Sequence, residues 1–284
     1  MRLLSYNRRG THGLALQSGN DWLDLTAAAP QISSDMAVLL QSADWRNDVA
    51  QAAKGAPKLN LAQVEFLAPF RASQKILCVG LNYVAHVAES PYKQPDYPTF
   101  FGRFASTLIG HGQPLVKPKV SDEFDYEGEL VAVIGKKGRH IKVEDALDHV
   151  AGYTIFNEGS VRNFQFKSPQ WTVGKNFDDS GACGPWFVTA DELPAGAKGL
   201  RLTTRVNGRV EQDASTDDMI FDVATLISIA SEAMTLVPGD MLVTGTPSGV
   251  GFGKKPPVYM RSGDVCEVEI ERIGVLRNPV VAEA

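Results

Sequence analysis

Two glutamates at the head of an apolar strand have the type and spacing that most directly suggest chemistry in this sequence. Residues 125–135 read DYEGELVAVIG. Because side chains alternate along a strand, Glu127 and Glu129 share a face with Val131 and Val133. Carboxylates this close repel each other, and burying them requires a nearby cation. A frayed strand end with solvated glutamates fits the same pattern, so this segment alone leaves both interpretations open.

A third carboxylate follows a second predicted strand. Residues 152–157 read GYTIFN and lead into Glu158, with Arg162 and Gln165 close behind. Together with the first two glutamates, Glu158 would complete an all-oxygen ligand set, which suits Mg²⁺, Mn²⁺ or Ca²⁺ rather than Zn²⁺. A helix cap or a surface acid is the alternative role for Glu158.

A histidine and a glutamate form the next candidate pair. His86 and Glu89 follow the apolar run 75–81 at a spacing of three residues. On a helical turn these side chains are neighbours, so Glu89 can orient the imidazole and raise its basicity for general-base catalysis. The alternative is a His and a Glu on an exposed helix. Gly80 before the pair and Ser90-Pro91 after it predict a mobile segment that closes over a substrate.

The glycine-rich segment 245–253 predicts a loop that approaches a substrate. It reads GTPSGVGFG and is followed by KKPP at 254–257. The glycine spacing and the prolines exclude a phosphate-binding P-loop. Backbone N–H groups and Thr246 can instead contact a carboxylate, although a tight loop between strands has the same composition. GxSxG and HExxH motifs are absent from the sequence, so serine-hydrolase and zincin chemistry lack their signatures.

The elements that must position these groups indicate an α+β fold that is mostly β. Residues 1–70 are interpreted as a small N-terminal domain and residues 71–284 as the catalytic domain. The first part is predicted to contain a helical stretch near residues 36–51. Short β-branched runs between Gly-Asp and Pro-Gly turns predict strands throughout the second part. One helix interrupts them, with Asp222 as its N-cap and apolar residues at helical spacing up to Met234. The helices are too few for regular βαβ alternation, which favours a mostly β catalytic domain over a doubly wound sheet.

Composition and charge narrow the class of partner. The chain has 284 residues, a formal net charge of -5 and three cysteines. Without a basic run, it lacks the electrostatic footprint for binding nucleic acid or an anionic membrane. The sequence has no apolar run near the ~20 residues that span a bilayer and no signal-peptide stretch at its start, which predicts a soluble, cytoplasmic protein. The scattered cysteines predict buried thiols, with neither a disulfide framework nor a zinc site.

Taken in the order in which they occur along the chain, these segments resemble the fumarylacetoacetate hydrolase family from about Lys75 to Pro279. The matching stretches are KILCVGLNY at 75–83 with His86 and Glu89, DYEGEL at 125–130, the run from Gly152 through Arg162 and Gln165, GKNFD at 174–178, GP at 184–185, and GDMLVTGTPSGVG at 239–251. The resemblance implies a mixed β-roll catalytic domain, usually homodimeric. It also implies activity on 2,4-diketo acids or related oxo-acids with Mg²⁺ or Mn²⁺.

The resemblance also implies roles for individual residues. The implied metal ligands are Glu127, Glu129 and Glu158. The implied catalytic residues are the general-base pair of His86 and Glu89, with Lys175 as an electrostatic helper. The substrate-binding candidates are Tyr83, Arg103, Arg162, Gln165 and Thr246.

Three positions depart from the family pattern. Glu158 stands where the family more often has Asp, so the third ligand has one more methylene of reach. Asn163 stands where Asp is frequent, which predicts different local hydrogen bonding. Arg103 stands where many relatives carry Lys near the substrate, which fits contact with a carboxylate or a polyol.

These features predict a metal-dependent hydrolase that cleaves a C–C bond in a 2,4-diketo acid, such as fumarylpyruvate or a diketo-deoxy sugar acid. The products would be pyruvate and a carboxylic acid, with His86 and Glu89 activating water and Lys175 stabilising the pyruvate enolate. Alternatives within the family are decarboxylation or keto–enol isomerisation of an oxo-diacid, and isomerisation of a 2-hydroxy-diene-dioate. A catalytically silent binding protein is the alternative from a different class, and the joint presence of these three residues argues against it.

Overall fold

The chain forms strands and short helices whose order brings distant segments together. The computed structural model describes residues 1–89 and 93–284. Its strands are β1 (Arg2–Arg8), β2 (Thr11–Ser18), β3 (Asp21–Asp24), β4 (Glu65–Phe66), β5 (Ile76–Gly80), β6 (Thr99–Gly102), β7 (Leu108–Ile109), β8 (Leu115–Lys117), β9 (Phe124–Asp125), β10 (Gly128–Ile134), β11 (Val150–Glu158), β12 (Ser160–Val161), β13 (Gly181–Thr189), β14 (Arg201–Val206), β15 (Arg209–Ser215), β16 (Met241–Val243), β17 (Val265–Ile270) and β18 (Gly274–Ala282). Its α-helices are α1 (Leu25–Ala28), α2 (Met36–Leu39), α3 (Trp45–Ala53), α4 (Val84–Glu89), α5 (Arg162–Gln165), α6 (Thr172–Lys175) and α7 (Val223–Ala233). Short 3₁₀ helices lie at Leu61–Gln63, Ala105–Thr107, Val143–His149, Ala190–Glu192, Ala195–Ala197, Thr216–Asp218 and Gly251–Gly253.

A large sheet of 11 strands carries the candidate site. Its main path runs β3-β2-β1-β13-β11-β10-β16-β5-β6, with β4 on β1 and β7 on β13. β10 pairs antiparallel with β11 and with β16, and β16 pairs parallel with β5. A second sheet of 5 strands runs β15-β14-β17-β18-β8, and β9 and β12 form a two-stranded ribbon. The described chain is therefore a mostly β, α+β protein, as the sequence predicts.

The two faces of β10 pack into different hydrophobic cores. Leu130 belongs to a cluster that contains Val268 of β17 in the second sheet. Val131 belongs to a cluster that contains Trp45 of α3. This is the period-two alternation that the sequence predicts, and it leaves the middle of β10 covered on both sides. The strand that carries the paired glutamates is thus held rigidly in the centre of the fold.

The N-terminal segment continues the large sheet. β1 pairs antiparallel with β13, with Leu3 opposite Phe187, and β2 and β3 follow outward. The predicted boundary near residue 70 falls between β4 and β5, which both belong to the large sheet. The division into residues 1–70 and 71–284 therefore stays a prediction, and it separates segments that share one sheet.

The helix predicted after Asp222 is confirmed as α7, whereas the helical region near the N-terminus differs from its prediction. α7 begins after Asp222, whose side chain accepts a hydrogen bond from Thr225 N at 2.9 Å. The single helical stretch predicted near residues 36–51 is instead α2 and α3, separated by a turn. In that turn Asp44 N donates to Ser42 Oγ at 3.3 Å. Side chains of this kind compete with helical hydrogen bonds, which explains the break.

The cysteines are buried, as the sequence predicts. Cys78, Cys183 and Cys266 are free thiols and all three are buried. Burial raises the pKa of Cys266 to about 12, so its thiol stays protonated at neutral pH. In the described ranges, no helix combines the length and the apolar character needed to cross a membrane.

Candidate active site

Three buried glutamates meet where β10 begins and β11 ends. Glu127 directly precedes β10, Glu129 lies within it, and Glu158 is the last residue of β11. The antiparallel register places Gly128 opposite Asn157, and Glu158 N donates to Glu127 O at 2.9 Å. One carboxylate oxygen from each glutamate lies within 4.8 Å of the other two. The alternative of solvated glutamates at a frayed strand end is therefore wrong, because all three are buried.

Two buried cations bind Glu127 and Glu158. Lys175 Nζ, at the end of α6, donates to Glu127 Oε2 and, at 2.8 Å, to Glu158 Oε2. Arg162 Nη2, at the start of α5, donates to Glu127 Oε1 at 2.6 Å. Burial alone would raise the pKa of Glu127, but the charges of Arg162 and Lys175 outweigh it and hold that pKa well below its usual range. The glutamates raise the pKa of Lys175 against the opposite effect of its burial, so the ammonium stays charged.

Glu129 differs from the other two glutamates. Its Oε2 accepts a hydrogen bond from Gly245 N at 2.6 Å, and no salt bridge reaches it from the described residues. Burial, followed by the charges of Glu158 and Glu127, raises the pKa of Glu129 well above its usual range. Of the three carboxylates, Glu129 is therefore the one whose negative charge no salt bridge from the described residues stabilises.

The donor set of this triad fits a hard divalent cation. All three groups are carboxylates, the ligands that Mg²⁺ and Mn²⁺ prefer in proteins. Glu158 Oε1 is buried, and no nitrogen or oxygen donor in residues 1–89 and 93–284 forms a hydrogen bond with it. A cation bound by Glu127, Glu129 and Glu158 would satisfy that oxygen and offset the repulsion at Glu129.

The predicted histidine–glutamate pair forms on α4. His86 Nδ1 lies 2.8 Å from Glu89 Oε1. Because an ionised carboxylate can only accept, this contact assigns the hydrogen to Nδ1 and leaves Nε2 free to accept a proton. Glu89 is itself held by Gly249 N, which donates to Oε2 at 2.9 Å and to Oε1 at 3.1 Å. The predicted end of the helix at Ser90-Pro91 lies outside the described residues.

A cavity of about 30 Å³ lies between the triad and the imidazole. The sequence-predicted residues that line it are His86, Glu127, Glu129, Glu158, Arg162, Gln165, Lys175 and Thr246. Aromatic side chains from three other segments complete the wall: Phe166, Trp171 and Phe252. The fold therefore brings the predicted ligands, the base and most of the predicted substrate contacts around one space.

The cavity-lining polar residues are already hydrogen-bonded to one another. Gln165 Oε1 accepts a hydrogen bond from Arg162 Nη1 at 2.9 Å. The Nε2 amide group is then the part of the Gln165 side chain that can donate to a ligand. Thr246 Oγ1 donates to Gly128 O at 3.0 Å and accepts from Gln212 Nε2 at 2.8 Å. These bonds fix both side chains before any ligand arrives, and their substrate-binding roles stay predictions.

Tyr83 and Arg103 lie outside the lining of this cavity. The Tyr83 hydroxyl is buried, has no hydrogen-bond partner within the described part of the chain, and has a pKa that burial raises. The Arg103 side chain is fully buried and donates to Ser180 Oγ at 2.7 Å and to Gly159 O at 3.2 Å. Substrate contact by these two residues therefore stays a prediction that the cavity lining does not support.

Two residues that brace the site had no role assigned from sequence. Asp125 accepts hydrogen bonds from Arg162 Nε at 2.9 Å and from Gly251 N at 2.8 Å, so it connects a cavity residue to the glycine-rich loop. Gln212 Oε1 accepts from Gly128 N at 2.9 Å while its amide bonds Thr246. Asp125 begins the DYEGEL segment, so its place beside the glutamates is a sequence signal that could have identified it. Gln212 lies in β15, and the sequence around it gives no signal of a role in the site.

The glycine-rich loop is the structural connection between the triad and the imidazole. Its backbone donates to Glu129 at Gly245, to Glu89 at Gly249 and to Asp125 at Gly251. Gly249 has φ +100°, and a Cβ there would lie 2.0 Å from Glu211 O. Glycine is therefore required for this approach. The loop positions side chains of the site, which is a different role from the substrate contact that its composition predicts.

Comparisons with known proteins show what the chain as a whole is similar to. The family profile described as "Fumarylacetoacetate (FAA) hydrolase C-terminal" matches residues 75–281. A relative from Homo sapiens, oxaloacetate tautomerase FAHD2A, mitochondrial, is 40% identical over 289 residues, which cover 99% of this chain and 92% of the relative.

Solved structures match over the whole chain. A fumarylacetoacetate hydrolase from psychrophilic Exiguobacterium antarcticum has 34% sequence identity and a TM-score of 0.85, with 100% of both chains covered. A maleylpyruvate hydrolase from Sphingobium sp. SYK-6, solved in complex with manganese(II) ion and pyruvate, has 32% identity and a TM-score of 0.82, again with 100% of both chains covered. The profile match, the full-length identity and the shared fold place this chain in the fumarylacetoacetate hydrolase family, as its motifs predict.

Proposed function

We propose that this enzyme catalyses keto–enol tautomerisation of a small 2-oxo-diacid of the oxaloacetate class, with Mg²⁺ or Mn²⁺ as cofactor. The observation that carries the proposal is the 40% identity over nearly the whole of both chains to a relative named as an oxaloacetate tautomerase. The site supplies what the reaction needs, which is one base, one fixed positive charge and a carboxylate set for a metal ion. Keto–enol isomerisation is also one of the alternatives that the sequence left open.

His86 is the proposed base. Its Nε2 takes a proton from the carbon beside the 2-oxo group. The electron pair of that C–H bond forms the new C=C bond, and the π pair of the oxo group moves to its oxygen to give an enolate. Glu89 accepts the Nδ1 hydrogen at 2.8 Å, so it holds the tautomer and the ring orientation that this transfer requires. The proton then passes to the enolate oxygen, and the reverse sequence regenerates the keto form.

Lys175 is the proposed electrostatic helper. It is buried, it is held between Glu127 and Glu158, and its raised pKa keeps it charged. A fixed ammonium group in a buried site stabilises negative charge that develops on a nearby oxygen more strongly than the same group in water. Gln165 Nε2 is the proposed neutral donor to the acid groups of the substrate, and Thr246 would join it by turning its hydroxyl hydrogen away from Gly128 O.

The three glutamates are the proposed metal ligands. When bound at Glu127, Glu129 and Glu158, Mg²⁺ or Mn²⁺ would supply positive charge at the 2-oxo acid end of the substrate. Two observations support this assignment: the three donors are carboxylates, and Glu158 Oε1 accepts no hydrogen bond from a nitrogen or oxygen donor of the described residues.

Exchange of carbon-bound hydrogen tests the tautomerase proposal. In D₂O with Mg²⁺, the wild-type enzyme should accelerate the decay of enol ultraviolet absorbance and the incorporation of deuterium at the carbon beside the oxo group. Pyruvate release should stay at the spontaneous rate. Activity that survives both a chelator and His86→Ala would contradict the proposed site, and acceleration of pyruvate release without exchange would contradict the proposed reaction.

Hydrolysis of a 2,4-diketo acid, which the sequence predicts, is the second candidate. The structural match to the maleylpyruvate hydrolase supports it, because that enzyme shares the fold over its whole length. His86 would then activate water for attack on the distal carbonyl, and Lys175 would stabilise the pyruvate enolate that leaves. Water labelled with ¹⁸O separates the two: the label appears in the carboxylate of the acyl product only if hydrolysis occurs.

The predicted assembly and compartment are also proposals. We propose a homodimer, which sedimentation or light scattering would test directly. The cytoplasmic location stays a sequence-based prediction, and the human relative bears a name that places that protein in mitochondria.

A further inference from the structure

Arg103 is a buried cation that the proposed reaction leaves without a role. Its side chain has 0% exposure and does not line the cavity. Three hydrogen bonds fix the guanidinium, to Ser180 Oγ at 2.7 Å, to Gly159 O at 3.2 Å and to Thr107 Oγ1 at 3.4 Å. The Phe156 ring lies 5.3 Å below its Cζ. Held this way, the charge has a fixed position.

The carboxylate nearest to this charge belongs to Glu158. Arg103 Nη1 lies 3.6 Å from Glu158 Oε1, close enough for an ion pair but too far for a hydrogen bond. Lys175 binds the other oxygen of the same carboxylate at 2.8 Å. Glu158 therefore has a hydrogen-bonded cation on its Oε2 side and a purely electrostatic partner beside Oε1.

We infer that Arg103 sets the metal affinity of the site by weakening it. When no ion is bound, the guanidinium stabilises the buried Glu158 carboxylate. When an ion is bound to that carboxylate, the same fixed charge repels it. Arg103 thus stabilises the metal-free site more than the metal-loaded one, which favours an exchangeable metal. This inference rests on the proposed metal site and is independent of which reaction the enzyme catalyses.

The sign of the effect separates this role from two others. A residue that merely positions a ligand increases metal affinity, so its removal weakens binding. A residue that contacts the substrate changes KM at saturating metal. Removing the Arg103 charge should instead tighten metal binding, lower the melting temperature of the metal-free protein, and leave KM at saturating metal unchanged.

Titration with Mn²⁺, followed by the electron paramagnetic resonance signal of the free ion, tests the inference. Arg103→Met and Arg103→Gln remove the charge, and the second keeps polar contacts for Ser180 and Gly159. Both should bind Mn²⁺ roughly tenfold more tightly than wild type, because loss of one like charge near a divalent ion in a buried site has at least this effect. Arg103→Lys keeps the charge and should remain within about twofold of wild type.

The matched control for lost packing is Ser180→Ala, which removes one hydrogen bond to the guanidinium without removing charge. It should lower the melting temperature without tightening Mn²⁺ binding. If a neutral variant is unfolded without metal, the Mn²⁺ concentration that restores its circular dichroism spectrum reports the same affinity. Unchanged or weaker Mn²⁺ binding in both neutral variants overturns the inference. Failure of the wild type to bind Mn²⁺ overturns the proposed metal site instead.

Discussion

The two halves of the candidate site are built in different ways. The glutamate triad lies in and beside the central strands of the large sheet, with Lys175 and Arg162 bonded to its carboxylates. His86 lies on α4, a helix of 6 residues, and its partner Glu89 is held by the backbone of Gly249. One half is braced by several buried ion pairs, whereas the other depends on a few hydrogen bonds to a loop.

This difference indicates a division of labour. The rigid half suits the task of holding a metal ion, because ligand geometry must survive without the substrate. The lightly held half suits a base that must approach and leave its substrate. The mobile closure predicted for this segment stays a prediction. If the division is real, substitutions in one half should leave the function of the other intact.

Removal of the base should have the largest effect. His86→Ala should reduce kcat by roughly 10²–10⁴-fold, the usual contribution of a general base, while Mn²⁺ affinity stays at the wild-type value. Steady-state kinetics and metal titration on the same preparation measure both. Val84→Ala is the matched control, since Val84 is exposed on the same helix and should have no effect on either quantity. Near-normal turnover in His86→Ala would remove the dyad from the mechanism.

Removal of single ligands should weaken metal binding with opposite effects on stability. Glu129→Gln and Glu127→Gln each remove a proposed metal ligand. Loss of a residue that only hydrogen-bonds to a ligand costs roughly 10–100-fold in metal affinity, so each variant should lose more Mn²⁺ affinity than that. Without metal, Glu129→Gln should melt at or above the wild-type temperature, because it removes a carboxyl group whose pKa is raised by burial and then by the charges of Glu158 and Glu127. Glu127→Gln should melt lower, because Lys175 and Arg162 lose a buried counter-charge. Equal shifts in both variants would contradict the charge distribution described for the triad.

A substitution in the loop should affect the dyad more than the triad. Gly249→Ala forces a Cβ towards Glu211 O and should displace the N–H that holds Glu89. We expect roughly a tenfold loss of kcat, a destabilisation of about 1–3 kcal/mol, and Mn²⁺ affinity within about threefold of wild type. Gly263→Ala is the control for backbone strain alone, since Gly263 has φ +96° and open space around it. Loss of metal affinity in Gly249→Ala would show that the loop supports both halves equally.

Metal addition should stabilise the folded wild-type protein without any substitution. An ion that binds only the folded protein stabilises it by about 2.7 kcal/mol at a concentration 100 times its Kd. The melting temperature should therefore rise by several degrees with Mg²⁺ and continue to rise with its concentration. Glu129→Gln should show no such rise over the same range. A shift of the same size in that variant would mean that the ion acts elsewhere on the protein.

The sequence predicts the common face of Glu127 and Glu129 because strand geometry is local, whereas the addition of Glu158 as a third ligand is implied by the family resemblance. Alternation alone places Glu127 and Glu129 on one face, and the three-residue spacing places Glu89 beside His86. The bracing residues are harder to predict because their partners are distant in the chain. Gln212 forms side-chain hydrogen bonds with Gly128 and Thr246, which are distant in the chain, and no local sequence pattern indicates these contacts. Arg103 resembles a substrate residue by position. Its buried side chain lies 3.6 Å from Glu158 Oε1 and outside the cavity lining, because rotamer and burial depend on packing that the motif does not encode.

The pairing of β1 with β13 has a consequence for how the protein folds. Leu3 lies opposite Phe187, so β1 can complete its place in the sheet only after residues 4–187 have been synthesised. Contacts of such high sequence separation slow folding, because loop closure costs entropy before the contacts compensate for it. Until that pairing forms, the edge of β13 around Phe187 and Val188 is open to other strands, whereas β7 pairs with the beginning of β13. We expect deletion of residues 1–24 to leave this edge unpaired and to produce aggregation during refolding.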